Sequence, residues 1–480
     1  MLNHRVQTID PAAWAALENS PIGGEIGSLL AKSMLTAGTG VDAASYTDGR
    51  ALSYESLDPI LQSVTLTEED CTLWRDLVKK PVHATVDQYN LRTSLGSRFG
   101  LAVGETTTPA EQLGAISRQY EEIAYYRDLR KVSDVMQMVN ATENPVALEE
   151  QEAMTNIIQA IDLDLYWGNR DVIGTQINGW FQKMDAASGV YIKDMAGAKI
   201  TERGIMNQAA ARIRMLGGRV TSMYMNPLLV EDYAELYATA NRVELTDGGE
   251  APIYDRSDFI GIRTLNGVIQ FRPDPFNWIG WTCPTAVEGN SDRPDAPATV
   301  TGACAGTDGT IPDGEYYYKV TSVNADGQSI GTASAAVTVG ANEHVTLTIA
   351  DPAGGNTATG FYIYRSAKNA GNADDCRFQW QVAATLGGGG TTWVDDGSWV
   401  PGTAHIPLAD MRPNAHTMQW SQLLPASKLP LAKIGVYDQF LVNLYGAFRM
   451  SKPTWNGLIK NVLPLDVLAE GWDPYALYAG

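Results

Sequence analysis

Apolar positions recur at two spacings along the chain, three-to-four and two, and the changes between them set the order of predicted elements. Over the first 56 residues neither spacing is sustained. Gly23, Gly24, Gly38, Gly40 and Gly49 interrupt short apolar stretches, which predicts an N-terminal arm (residues 1–56) that needs a neighbour to order it. Thr67, Glu69 and Asp70 then open a helix closed by Lys79, Lys80 and Pro81, acidic at its start and basic at its end as the helix dipole prefers. Val82, Ala84 and Val86 alternate with polar residues as in a strand, and residues 93–108 form a Gly/Ser/Thr-rich excursion with few apolar side chains. Residues 119–139 fit either a charged helix or a half-exposed strand. The alternation of Val135, Gln137 and Val139 favours a strand in the later half, so residues 82–139 are expected to form a two-stranded extended loop.

Helical spacing is clearest after Asn144, a good N-cap followed by Pro145 at the first helical position. Glu149, Glu150 and Glu152 crowd the first turns, and Met154, Ile157, Ile158, Ile161 and Leu165 form one apolar stripe. The pattern predicts a spine-like helix over residues 145–167, about 33 Å long. A second helix over 201–216 stops at Gly217-Gly218, a short strand over 220–225 ends at Asn226-Pro227, and a third helix covers 228–241. Asn266-Gly267 marks the turn of a hairpin over 260–271. Helices and strands mix without a repeating strand-helix-strand order, so the fold class is α+β.

From Arg293 the text changes. Residues 293–408 are rich in Gly, Thr, Ala and Asp, lack a helical period and contain about seven short strand candidates, close to the ~100 residues of an immunoglobulin-type sandwich. Tyr316, Tyr318 and Val320 share one strand face. Globular text resumes afterwards, with strand alternation at Phe440, Val442 and Leu444. The segment therefore reads as an inserted all-β domain between two parts of one core, 57–292 and 409–480. Seven strands would start and end at opposite poles, so connectors at 277–292 and 409–424 are expected to be extended.

Composition adds three constraints. The 480 residues exceed the ~150-residue guide for a single domain about threefold, and 44% hydrophobic residues with 12 Trp are globular usage. Lys plus Arg number 35 against 55 Asp plus Glu, a net charge of −20, which disfavours direct binding of nucleic acid or anionic lipid. Eleven of the acidic side chains, against five basic ones, fall in residues 293–408. No signal-peptide pattern and no apolar run of about 18 residues occurs, so no membrane partner is expected. Cys71, Cys283, Cys304 and Cys376 have no metal-binding spacing. Isolated buried thiols are the first expectation and a Cys304–Cys376 bridge the alternative.

Candidate chemistry is sparse. No phosphate-binding glycine motif occurs, and Gly387 to Gly390 reads as a flexible hairpin connection. His4, His83, His344, His405 and His416 are scattered, which predicts no metal site. No nucleophile elbow is present. The acidic pairs Glu149-Glu150, Asp374-Asp375 and Asp395-Asp396 read as solvated or turn positions, weak calcium binding being the alternative for the two Asp pairs. Asn140-Ala141-Thr142 matches the glycosylation acceptor pattern, which has no weight without secretion. The aromatic run Tyr316 to Tyr318 reads as sandwich core, with a sugar-stacking platform as the alternative. No catalytic residue, cofactor or metal ligand is nominated, and the chain is not expected to be an enzyme.

The order of elements resembles that of the major capsid proteins of tailed double-stranded-DNA phages, whose fold is shared with encapsulins and the floor of the herpesvirus capsid. The match rests on residues 57–89, on the helix over 144–168, on RVTSMYMNPLLVEDYAEL at 219–236, and on the return strands at 438–462 that end in PTWNGLIKNV. GEYYYKVTSVNADGQS at 314–329 and TGFYIYRS at 359–366 resemble immunoglobulin or fibronectin type III strands. The resemblance implies an icosahedral head shell of pentamers and hexamers around packaged DNA, assembled in the host cytoplasm and ending in the virion. The extended loop would lie over a neighbouring copy and the arm would clasp another. It also implies scaffold, portal and decoration proteins as partners, and an outward insert in weak contact with glycans. An encapsulin-like cargo shell, and a carbohydrate-active enzyme or adhesin with a fibronectin-type module, are the rival readings.

Overall fold

The computed structural model describes residues 66–477 except 98, 100, 110, 140–143, 203, 239–260, 265–266, 355 and 386–389. The arm, His4, Asn140 and Asn266 lie outside the described residues. The spine helix Pro145–Trp167 forms as its sequence dictates: Asn144 Oδ1 accepts from Val146 N at 3.1 Å, and Ala153, Ile157, Ile158, Ile161 and Leu165 are buried on one stripe. Gly168 ends it because no side chain fits there. A Cβ would lie 2.5 Å from the carbonyl oxygens of Asp164 and Ile177.

The apolar stripe packs on a long sheet in the order Val78–Pro81, Met418–Pro430, Tyr437–Met450, Ala124–Ser133. Two expectations are corrected here. Lys79 and Lys80 do not end a helix; the helix is only Thr72–Asp76, and they lie on an edge strand parallel to Met418–Pro430. The later half of 119–139 is not part of the projection. Ala124–Ser133 is instead the edge strand of the long sheet, paired with Tyr437–Met450, and Asp134–Met138, where Val135 and Gln137 alternate, is a short helix capped by Ser133 Oγ, which accepts from Met136 N. The two-stranded projection is narrower, Val86–Arg92 paired with Ile116–Glu122.

A second, central sheet runs Tyr191–Asp194, Gly457–Val462, Ala404–Ala409, Ser222–Met225, Gly267–Pro273, Gly261–Thr264. The helices Ile205–Met215 and Pro227–Ala238 pack on it, and the hairpin over 261–273 forms as predicted. Ala404–Ala409 is buried along its whole length between Gly457–Val462 and Ser222–Met225. It therefore belongs to the central sheet, and the all-β segment ends before it and not at residue 408. Asp274, at the end of Gly267–Pro273, joins this sheet to the spine. It accepts from Thr72 Oγ1 (2.8 Å), Leu73 N (3.1 Å), Tyr166 OH (2.9 Å) and Phe276 N (3.0 Å).

Antiparallel strands over 288–395 build two main sheets that share one core, with a small two-stranded sheet, Gly314–Tyr316 and Val337–Val339, beside them. Arg377–Ala383, Gly360–Arg365 and Tyr318–Asn324 form one, and Val300–Ala305, His344–Ile349 and Thr391–Asp395 the other. Val320, Phe361 and Ile363 meet Val300, Val345, Leu347 and Ile349 between them. The first connector is not an extended spacer: Trp281 packs tilted against Phe378 at 4.8 Å, and Thr282 bridges to Arg377; the strand Arg377–Ala383 in turn reaches the spine helix, where Gln381 Nε2 donates to Trp167 O.

The centre of this region is polar. Arg365 and Asp395, 0% and 1% exposed, pair at 2.6 Å. Tyr318 OH and Gln379 Nε2 donate to the carboxylate, and Arg365 donates to Tyr475 OH at 3.0 Å. Breaking such a pair leaves a charge buried alone. Arg365→Leu is expected to cost about 3–5 kcal/mol in denaturant unfolding, and the double change Arg365→Leu with Asp395→Asn clearly less. Equal losses in the two variants would contradict this.

Candidate assembly surfaces

The projecting hairpin is rigid where it leaves the body. Asp87 Oδ2 accepts from Ser421 Oγ at 2.6 Å and lies 3.4 Å from Arg449 Nη1, while the Arg449 guanidinium sits 3.9 Å from the centre of the Tyr89 ring. On the partner strand, Glu121 pairs with Lys183 and Glu122 with Arg170, each at 2.5 Å. Burial pushes the Glu121 carboxyl up and the Lys183 ammonium down, and each ion offsets the other's desolvation.

Beyond that base the hairpin exposes a few apolar side chains among polar ones. Leu95 and Leu113 are 81% and 78% accessible, and Leu101, Ile116 and Tyr120 are also exposed. A second exposed patch lies on the helix Asp134–Met138 and the turn before Tyr437, where Val135, Met138, Val139, Ile434 and Val436 face solvent. Lys433 clamps it through Asp134 at 2.5 Å and Asp438 at 3.3 Å, and Gln137 donates to Asp438. Apolar side chains exposed together on a fixed frame, as in this second patch, are the mark of a protein interface. The low count of apolar residues in 93–108 hid the first patch from sequence reading. The signal available was the isolation of Leu95, Leu101 and Leu113 among polar neighbours.

The residues weighed for chemistry are scattered through the fold. His405 is buried against Trp167, Phe181 and Trp399, burial pushes it down to about 3, and its Nδ1 accepts from Asn461 N. His344 pairs with exposed Asp308, His416 Nδ1 bonds Gln419, and His83 is exposed. Glu149 and Glu150 pair with Arg130 and Lys428 respectively. Asp374 and Asp375 lie on an exposed turn. Asp395 is not at a solvated turn but is the buried partner of Arg365, and Asp396 accepts from Ser398 N. Tyr316 and Tyr318 are buried core, as expected, whereas Tyr317 is half-buried. Gly387 to Gly389 fall outside the described residues, and Gly390 has φ +87°. Among the described residues no three His, Cys, Asp or Glu side chains group as metal ligands would. No described helix is long and apolar enough to cross a membrane.

Sequence reading missed a set of buried acids along the spine helix. Asp162 Oδ1 accepts from Trp74 N at 2.8 Å, and burial together with neighbouring Asp274 raises its carboxyl far above the usual range. Asp164 Oδ2 accepts from Tyr126 OH at 2.7 Å, tying the helix to the long sheet, and burial raises it to about 7 against the pull of that hydrogen bond.

No known family profile matches the chain. Its sequence relatives include a putative major capsid protein of Enterococcus phage phiEF24C, 24% identical over 458 residues and spanning 89% of this chain and 93% of that one. The major capsid proteins of Staphylococcus phages S25-3 and K are each 25% identical over 442 residues, spanning 88% of this chain and 93% of theirs. Solved structures similar to it include the capsid of a native GTA particle (10% identity, 88% of this chain, 100% of that one, TM-score 0.46) and the holo-SrpI encapsulin complex of Synechococcus elongatus PCC 7942 (8%, 88%, 96%, TM-score 0.40). The homologues of this chain are major capsid proteins of phages.

A carboxyl raised in the folded state takes up a proton on folding, so its contribution is largest at acid pH and is lost as pH rises from about 4 to its folded value. Asp164 is expected to lower stability progressively between about pH 4 and pH 7, by up to about 4 kcal/mol. Asp164→Asn should flatten that part of the stability–pH curve measured by denaturant unfolding. An unchanged slope would show that Asp164 ionises normally.

Proposed function

We propose that the chain is the major capsid protein of a tailed double-stranded-DNA phage and closes by self-association into the icosahedral head shell. The observation that carries this reading is the relatedness to phage major capsid proteins over 88–89% of the chain. The surfaces agree with it: a hairpin braced at its base by ion pairs and exposing apolar side chains towards its tip is built to lie on another copy, and each subunit of a closed shell must bury more than a standard ~1,600 Å² interface. Its work is assembly and not catalysis.

In this reading residues 1–56 clasp a neighbouring subunit. Residues 293–408 form an immunoglobulin-like insert displayed on the outer surface, in weak contact with glycans. The back-bond from Tyr316 OH to Pro312 O supports that likeness, since a tyrosine closing on backbone a few residues upstream is a habit of such sandwiches. The net charge of −20 suits a lumen wall from which packaged DNA is repelled. Scaffold, portal and decoration proteins would assist assembly in the host cytoplasm.

Expression of the full chain followed by negative-stain microscopy tests the reading. Hollow closed particles are expected, and a small monomer under all assembly conditions would count heavily against it. The double change Leu95→Ser with Leu113→Ser should leave subunit unfolding within about 0.5 kcal/mol of the parent and yet sharply lower particle yield in sedimentation. Full yield would remove the hairpin tip from the interface.

A further inference from the structure

Two of the four cysteines meet across a short antiparallel bridge. Thr282 pairs with Arg377, flanked by hydrogen bonds from Cys283 N to Cys376 O at 3.2 Å and from Phe378 N to Trp281 O at 2.6 Å. Residues directly opposite in such a pair have Cα atoms about 4.5–5.5 Å apart and side chains on one face, within the roughly 4.4–6.8 Å that a disulfide spans. Both thiols are free and border one apolar cluster with Tyr364 and Phe378. Cys376 Sγ lies 3.6 Å from Tyr317 O, and Cys283 Sγ sits against Gly331, where a Cβ would be 2.4 Å from the sulfur. Cys304 stands opposite Val345 on another sheet, and Cys71 lies in a different core cluster. The pairing that the fold offers Cys376 is therefore Cys283 and not Cys304.

We propose that Cys283 and Cys376 are a redox pair, reduced where the chain is made and joined as a disulfide once it meets a small-molecule disulfide in an oxidising medium. Cys283, half-buried, is the member that reacts first. Its thiolate attacks one sulfur of the small disulfide and expels the other as a thiolate. The Cys376 thiolate then attacks the Cys283 sulfur, forming the Sγ–Sγ bond and expelling a second small thiolate. The two protons lost by the protein end on the two released thiolates, so one small disulfide becomes two small thiols. Burial pushes Cys376 up to about 12 and raises Cys283 as well, so closure is slow at neutral pH and faster in mild alkali. The bond would tie the connector around Trp281 to the strand Arg377–Ala383, closing a loop of roughly ninety residues around most of the strand-rich region. This pairing goes beyond the capsid reading and does not depend on it, because the unassembled chain carries it too.

The test incubates the purified full chain with oxidised glutathione at about pH 8.5, near the free thiol range. Thiols titrated after denaturation should fall from four to two, and non-reducing proteolytic mapping should find Cys283 linked to Cys376. The melting midpoint should rise by about 5 °C and return on reduction. Cys283→Ser should abolish the link while Cys376 stays free of glutathione. Retention of four thiols, a glutathione adduct that persists on Cys283 beside a free Cys376, or a link through Cys71 or Cys304 would each overturn the proposal. The thiol count on the parent chain decides the matter even if a variant fails to fold.

Discussion

Asp274 is the constraint on which the body of the molecule depends. Its carboxyl ends a strand of the central sheet and collects donors from the short helix Thr72–Asp76, from Tyr166 on the spine helix, and from its own loop. Burying a carboxylate is tolerable only when its lone pairs are satisfied, so the three pieces hold their relative positions or the cost falls on all of them. Burial beside Asp274 pushes the Asp162 carboxyl far up, and it anchors the Trp74 amide. The edge strand Val78–Pro81 follows directly from that short helix. The placement of the long sheet, and with it the base of the projecting hairpin, is thus inherited from one acid in the core.

That inheritance explains why the hairpin can carry apolar side chains in the open. Its base is fixed by interactions that reach Ser421, Arg449, Lys183 and Arg170, all far away in sequence, so the tip is presented in a defined direction before any partner arrives. Pre-set geometry lowers the entropy lost on association, and it keeps the exposed leucines from folding back onto the body.

What was legible in the sequence was local. The spine helix announced itself through Asn144, Pro145 and a stripe with helical spacing, and the step from Met225 through Asn226 to the next helix was readable because capping is decided within a few residues. Errors arose where a partner hundreds of residues away decides the structure. Lys79 and Lys80 pair with the strand that begins at Met418, and Ala404–Ala409 pairs with Ser222–Met225 in the central sheet. The acids of the spine helix, Asp395 and His405 were illegible for the same reason. Their burial is created by strands that sequence spacing does not relate to them. Val135 and Gln137 are a different kind of error, since they alternate as in a strand but sit in a turn of helix capped locally by Ser133.

The contact of Tyr475 with Arg365 also has a consequence in time. The guanidinium and the Asp395 carboxylate leave the ribosome well before the phenol that completes their setting, by roughly eighty residues, or about 4–16 s at ~5–20 residues per second. Until Tyr475 arrives, the charged centre of the strand-rich region keeps one side open to water. The nascent two-sheet core therefore has to form around a hydrated ion pair, and its final desolvation waits for Tyr475.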